Sequence, residues 1–269
     1  MDKDRERSYY VVKSNELIRK SKYSLTILQQ KLVLYAISRI RIEDEISKEY
    51  EFTVKELCEV CGIPIDTQGV CYKRLESDLD ILCERKKIPI SKTGVMTFSW
   101  FGDYIYDKGY IRLTFSSNMR RYLFQQPERL QEQISEARRT KKFIPDMGYT
   151  QYYLEQGLVF KFKHSLRIFE ILRSHITRQE IDNYDTKTVE VGFQELQELL
   201  EVNYTRFQDF KNRVLDKAVK EINSCNEDIH IEYETIRRGQ KVISIRFIIT
   251  TAHCKQALEA SKVKKTRLK

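Results

Sequence analysis

The sequence predicts a mainly helical α+β fold in which one unit is used twice. Three observations carry this. Apolar residues at helical spacing open both halves of the 269-residue chain. Each half continues with a short β-prone piece and two more helical stretches. Each half then changes to a two-residue alternation around a glycine, the signal of a hairpin.

Taken in order, the first helix carries Leu28, Leu32, Tyr35, Ala36 and Ile40, and its counterpart carries Ile168, Ile171, Leu172 and Ile176. Then "YEFTVKELCEVCGI" (50–63) matches "VEVGFQELQELLEV" (189–202), each a strand-like piece leading into a short helix, with Leu57 corresponding to Leu196. A longer helix follows, "GVCYKRLESDLDIL" (69–82) in the first half and residues 203–223 in the second. Tyr72, Leu75 and Leu79 form the apolar stripe of one, and Phe207, Phe210, Val214, Ala218 and Ile222 that of the other. Residues 95–116 read as two strands around Asp107-Lys108-Gly109. Residues 228–249 alternate through Ile229, Ile231, Tyr233 and Ile243, Ile245, Phe247 around Arg237-Arg238-Gly239-Gln240.

Helix, short strand, helix, helix, hairpin is the order of a winged helix, a helix-turn-helix with a β-hairpin wing. Its repetition predicts tandem winged-helix domains at 1–125 and 149–254. Between them 126–148 reads as a helical linker, charged from Pro127 to about Lys142, and 255–269 as a basic flexible tail.

Composition narrows the function. The chain is 41% hydrophobic with 9 Gly and 4 Pro, which favours a folded chain. Mean hydropathy is −0.54, and no apolar run approaches the roughly 20 residues of a membrane span. The start, "MDKDRERSYYVVKS", has no apolar signal core, so a cytoplasmic location is expected. A net charge of +9 suits a polyanion, and nucleic acid is the leading candidate.

In a helix-turn-helix the second helix meets the major groove through its N-terminal half. Here that helix offers Thr205, Arg206, Gln208, Asp209, Asn212 and Arg213, with Asp216 and Lys220 further along the same face. Arginine matches guanine O6/N7, and asparagine or glutamine matches adenine N6/N7. The plain alternative is a solvated face carrying the i,i+4 pairs Asp209–Arg213 and Asp216–Lys220. Arg237, Arg238 and Lys241 at the wing tip favour DNA, because they add backbone contacts to base contacts. The first half offers Lys73, Arg74, Lys86 and Lys87, beside Arg85, but also Glu76, Asp78, Asp80, Asp103 and Asp107. It reads as the weaker DNA contact.

Cys58 and Cys61 form a CxxC, yet Cys71, Cys83, Cys225 and Cys254 supply no second close pair for zinc. Cys61 shares a helical stripe with Val54 and Leu57, so the thiols read as small buried hydrophobes. No metal and no cofactor is expected.

Three stretches carry a family resemblance: "VVKSNELIRKSKYSLTILQQKLVLYAISRI" (11–40), "HSLRIFEILRSHI" (164–176) and "FQDFKNRVLDKAVKEINS" (207–224). Together they resemble the iteron-binding plasmid replication initiators, over nearly the whole chain. The resemblance implies binding of direct repeats at a plasmid origin, recruitment of the host replicative helicase and initiator proteins, and a homodimer in equilibrium with a DNA-binding monomer that represses its own promoter. It places base reading on Arg206 and its neighbours, and wing contacts on Arg237 and Arg238. Some plasmid initiators nick DNA with a tyrosine and a metal held by a His-hydrophobe-His pair. His164, His175, His230 and His253 contain no such pair, and there is no phosphate-cradling Gly-x-x-x-x-Gly-Lys-Ser/Thr, so no enzyme is expected. The competing reading is a tandem winged-helix transcriptional regulator without an initiation role.

Overall fold

The computed structural model describes residues 9–41, 44–45, 47–64, 70–89, 95–123, 148–176, 186–225 and 229–251. The expected linker helix (127–142) and basic tail (255–269) lie outside them. The chain divides into two compact units, one of residues 1–21 and 25–158, the other of 22–24 and 159–269.

The first unit opens with β1 (Tyr10–Ser14), which pairs antiparallel with β7 (Tyr149–Tyr153). Tyr10 and Tyr153 stack across that pair with ring centres 4.6 Å apart. The second domain was expected to start at 149. This pairing instead puts β7 and the short α6 (Leu154–Leu158) in the first unit, and the division falls after Leu158. Helix α1 (Asn15–Lys20) is capped by the Ser14 hydroxyl.

Helix α2 (Ile27–Ser38) begins at a reciprocal box, with the Thr26 hydroxyl accepting from the Gln29 amide and the Gln29 side chain accepting from the Thr26 amide. It is buried on every side, from Leu28 to Ser38 with few gaps, because β1, α6 and the helix-turn-helix all pack against it. A single apolar stripe was expected, and Ile40 falls beyond the helix end.

β2 (Tyr50–Thr53), α3 (Val54–Cys61) and α4 (Val70–Cys83) follow. Thr53 and Glu56 form a second capping box, and Gly62 ends α3 with φ 63°, a left-handed conformation that costs a glycine little. Val54, Leu57, Cys58 and Cys61 are buried. Leu75 and Leu79 of α4 are fully buried. Residues 95–116 hold three strands rather than two. β4 (Val95–Phe98) pairs with β3 (Lys86–Pro89), and β5 (Phe101–Asp107) pairs with β6 (Tyr110–Phe115). The wing sheet has the order β2-β6-β5. Helix α5 (Ser117–Leu123) follows.

The second unit repeats this frame. Helix α7 (Lys163–Arg173) is buried from His164 to Arg173. β8 (Thr186–Gly192) leads into α8 (Phe193–Leu199), and three helical segments, Phe207–Phe210, Lys211–Leu215 and Asp216–Cys225, run on as one helix, α9. The sheet order β8-β10-β9, with β9 (Ile229–Arg238) and β10 (Lys241–Thr251), reproduces that of the first unit. A bulge between Val242 and Ser244 turns Val242 inward and leaves Ile243 45% exposed, against the expected alternation.

Phe210, Val214, Leu215, Ala218 and Ile222 are at most 1% exposed and close the core over α7 and β9. Burying a large apolar side chain stabilises by about 1.5–3 kcal/mol. This helix therefore contributes much of what holds the unit together.

Candidate nucleic-acid interface

The turn between α8 and α9 is set by one buried side chain. Gln197 is 3% exposed; its side-chain oxygen accepts from the Tyr204 amide at 2.5 Å and its carbonyl accepts from the Val202 amide at 3.0 Å. Below the turn, Phe193 lies edge-on to both Phe207 and Phe210, each at 5.3 Å, and Tyr204 to Phe210 at 5.9 Å. Edge-to-face aromatics add specific geometry to burial. Phe193, Gln197 and Tyr204 were not singled out from the sequence. A buried polar side chain that braces a turn leaves no periodic signal.

Helix α9 begins at Phe207, with Arg206 at its N-cap in extended conformation. The expected start at 203 is thus four residues early, and Thr205 and Arg206 stand on the turn ahead of the helix. Both are exposed, as are Gln208, Asn212 and Arg213, while Asp209 is half-buried. The Gln208 amide donates to the Asn212 side-chain oxygen at 2.8 Å, so the two adenine-matching side chains stand together.

Neither i,i+4 ion pair of the plain solvated-face alternative, Asp209–Arg213 or Asp216–Lys220, is present among the described residues. Asp216 leaves the outer face and pairs with Lys211 at 2.7 Å. Among the described residues no side chain engages Arg206 or Arg213. Both are exposed, and in the chain they flank Gln208 and Asn212.

The wing turns at Gly239, φ 61°, with no heavy atom within 4 Å of where a side chain would begin. Arg237, Arg238, Gln240 and Lys241 are exposed around it, and the register sets Lys241 opposite Arg238. Lower on the same sheet, Arg246 lies 3.7 Å from Glu190 and 3.8 Å from Glu234. The tip cations have no such carboxylates among the described residues. A cluster of unneutralised cations on an exposed turn is what a phosphate backbone requires.

The first unit arranges its charge differently. Lys73, Arg74 and Arg85 are exposed and Lys86 is half-buried, while the Lys87 side chain lies outside the described residues. Lys86 and Lys87 belong to the β3–β4 hairpin, which has no counterpart in the described part of the second unit. Asp78 faces inward, 7% exposed, and accepts from the Gln29 side chain at 2.7 Å. Asp80 accepts from the Tyr104 hydroxyl at 2.6 Å. Burial and that carboxylate raise the Tyr104 phenol well above its ordinary value. The wing tip carries Asp107 beside Lys108.

These features define a protein of two winged-helix units whose second unit carries an uncompensated polar and cationic face. Family models agree on the two winged-helix units. "Initiator Replication protein, WH1" matches residues 10–173, and "Initiator Rep protein, WH2" matches 192–249. The chain belongs to the initiator replication protein family. A replication initiation protein of Escherichia coli is 26% identical over 220 residues, covering 80% of this chain and 62% of that protein. The chain thus spans less than two thirds of that relative's length. The Pi initiator protein, in a crystal structure with iteron DNA, superposes with a TM-score of 0.66 at 15% identity, covering 91% of this chain and 98% of that one. That likeness shows a shared fold.

Proposed function

We propose that this protein is a plasmid replication initiator that binds direct repeats, iterons, in duplex DNA at an origin. The observation that carries this is the pairing, in one unit, of a base-matching helix face with a wing tip of free cations. Thr205, Arg206, Gln208, Asp209, Asn212 and Arg213 read bases; Arg237, Arg238 and Lys241 hold the backbone. The first unit adds weaker backbone contacts through Lys73, Arg74, Lys86 and Lys87. The iteron DNA in the Pi initiator structure supports this reading, because there the same fold holds such a repeat. Family membership supports the initiator over a plain transcriptional regulator. In this reading the protein works in the bacterial cytoplasm without catalysis. It recruits the host replicative helicase and initiator proteins, and represses its own promoter as a dimer.

The test is selection of bound duplexes from a random DNA library at two salt concentrations. One motif longer than a single winged helix covers, recurring as direct repeats beside the gene, is the expected result. Salt-sensitive binding with no motif would reduce α9 to a general phosphate contact and end the iteron reading.

A further inference from the structure

Midway along, α9 departs from α geometry. Lys211–Leu215 forms one π-helical turn. Such a turn bonds residues five apart rather than four and so takes in one extra residue; it recurs at functional sites. Its mark on the side chains is the Lys211–Asp216 pair, Nζ to Oδ2 2.7 Å, between residues five apart in sequence. On a regular α-helix residues at that spacing point about 140° apart. The π turn brings them to one side.

The second Asp216 oxygen, Oδ1, accepts from the hydroxyl of Tyr233 on β9. One carboxylate therefore ties the start of the turn, the segment after it and the strand that runs on to Arg237 and Arg238. The Tyr233 phenol is pushed up to about 12, by burial first and then by Asp216, so it remains a donor at neutral pH. Asp216 also raises the Lys211 ammonium, which remains charged.

The extra residue shifts the helix face. Both Val214 and Leu215 are buried, and beyond the turn Lys217 is exposed where an unbroken α-helix would present Asp216. Asn212 and Arg213 lie inside the turn itself. Their angle to Thr205, Arg206 and Gln208 is thus set by the π geometry.

The geometry points to Lys211, Asp216 and Tyr233 as positioning residues that hold the π turn and thereby set which base pairs Asn212 and Arg213 meet. This rests on the reading of α9 as the DNA reader. Lys211→Met, Tyr233→Phe and Lys211→Arg are the variants. Each is compared with wild type for dissociation constants on the selected duplex, its single-base variants and a scrambled duplex, and for melting temperature.

Lys211→Met and Tyr233→Phe are expected to lose roughly tenfold in affinity for the selected duplex. On the scrambled duplex the change stays under about twofold, since an exposed pair contributes little general attraction. The lost discrimination falls on the base pairs whose preference Asn212→Ala and Arg213→Ala also erase. Lys211→Arg keeps the pair with Asp216 and keeps the discrimination. Tyr233→Phe changes no charge, so its salt dependence stays that of wild type. Unchanged discrimination, or equal weakening on every duplex, would overturn the inference and leave the knot a structural brace. A wild-type protein with no sequence preference overturns the reading of α9 itself. That result appears before any variant is measured.

Discussion

Helices α4 and α9 occupy the same place in two copies of one topology, and both tie acids into the fold and leave cations exposed. But α4 carries exposed Glu76 and Asp80 with Lys73 and Arg74, whereas α9 carries the Gln208–Asn212 pair with Arg213 and the N-cap Arg206. On α4 two acidic residues serve the fold, while Glu76 stays exposed. Asp78 turns inward to Gln29, and Asp80 holds Tyr104. On α9 Asp216 is tied to Lys211 and Tyr233 and Glu221 accepts from the Lys161 and Phe162 amides, while Arg206 and Arg213 have no partner among the described residues. The wings repeat the contrast, with Asp107 and Lys108 at one tip and Arg237, Arg238 and Lys241 at the other. The difference teaches that a duplicated frame preserves its packing while its surfaces diverge. The core needs only size and period, whereas the outer face is free to take on a partner.

The largest effect expected is in the cores, where the two units should behave alike. Phe210→Ala should destabilise the second unit by about 3–5 kcal/mol, and Leu75→Ala the first by about 2–5 kcal/mol. Urea unfolding measures both. A mild effect at only one site would mean the repeat is not a repeat of packing.

The second unit should also carry an acid sensitivity. Burial, then the charge of Lys163, lowers the His164 imidazole from its ordinary 6.5 to about 4. Its folded value lies below its unfolded one, so the unfolded chain takes up a proton first. Stability is then full above about pH 6.5 and falls toward pH 4, with a limiting slope near 1.4 kcal/mol per pH unit. Melting of wild type and His164→Phe across that range should separate the two; parallel curves would deny His164 the role.

On DNA the units should part. Arg206→Ala or Arg213→Ala should cost about 1–3 kcal/mol on the selected duplex and relax base preference, whereas Arg74→Ala should leave preference intact. Equal loss of preference from Arg74→Ala would make the two units equivalent readers. Removing Arg237 and Arg238 together should weaken all duplexes alike and reduce the salt slope by about 2. A change in base preference there would contradict the wing assignment.

The smallest effect would copy one unit into the other. Thr53 caps α3, but Gly192 caps α8 with no side-chain bond, although Glu195 already stands at the matching position. A β-carbon at Gly192 would meet Glu195 Cβ at 3.5 Å, an ordinary contact. Gly192→Thr should therefore gain about 0.5–1 kcal/mol by completing the box and restricting the unfolded chain. A lower melting temperature would show that the cap geometries differ.

How much could be read without coordinates follows from the range of each interaction. The duplicated order of elements, the buried Leu57 and Leu196, and the two wing turns are local. Periods of 3.6 and 2.0 and a glycine between strands are written in neighbouring residues, and they sufficed for the tandem winged-helix fold and for proposing the cationic wing tip. The β1–β7 pair joins Tyr10 to Tyr153, and no local pattern announces a partner that distant, so the boundary expected at 149 moved past α6. The inward turn of Asp78 and the π turn at Lys211–Leu215 likewise depend on groups brought from elsewhere, Gln29 and Tyr233, while the Gln197 brace is local but leaves no periodic signal. By itself the sequence determined much of the core, Leu57, Leu75, Leu79, Leu196, Phe210 and Val214 among it, and pointed to the class of partner the surface suits. Only the tertiary structure decided which polar groups are satisfied within the fold and which are left for a ligand. A side chain's hydrogen-bond partner is chosen by proximity in space, and that is settled only when the chain has folded.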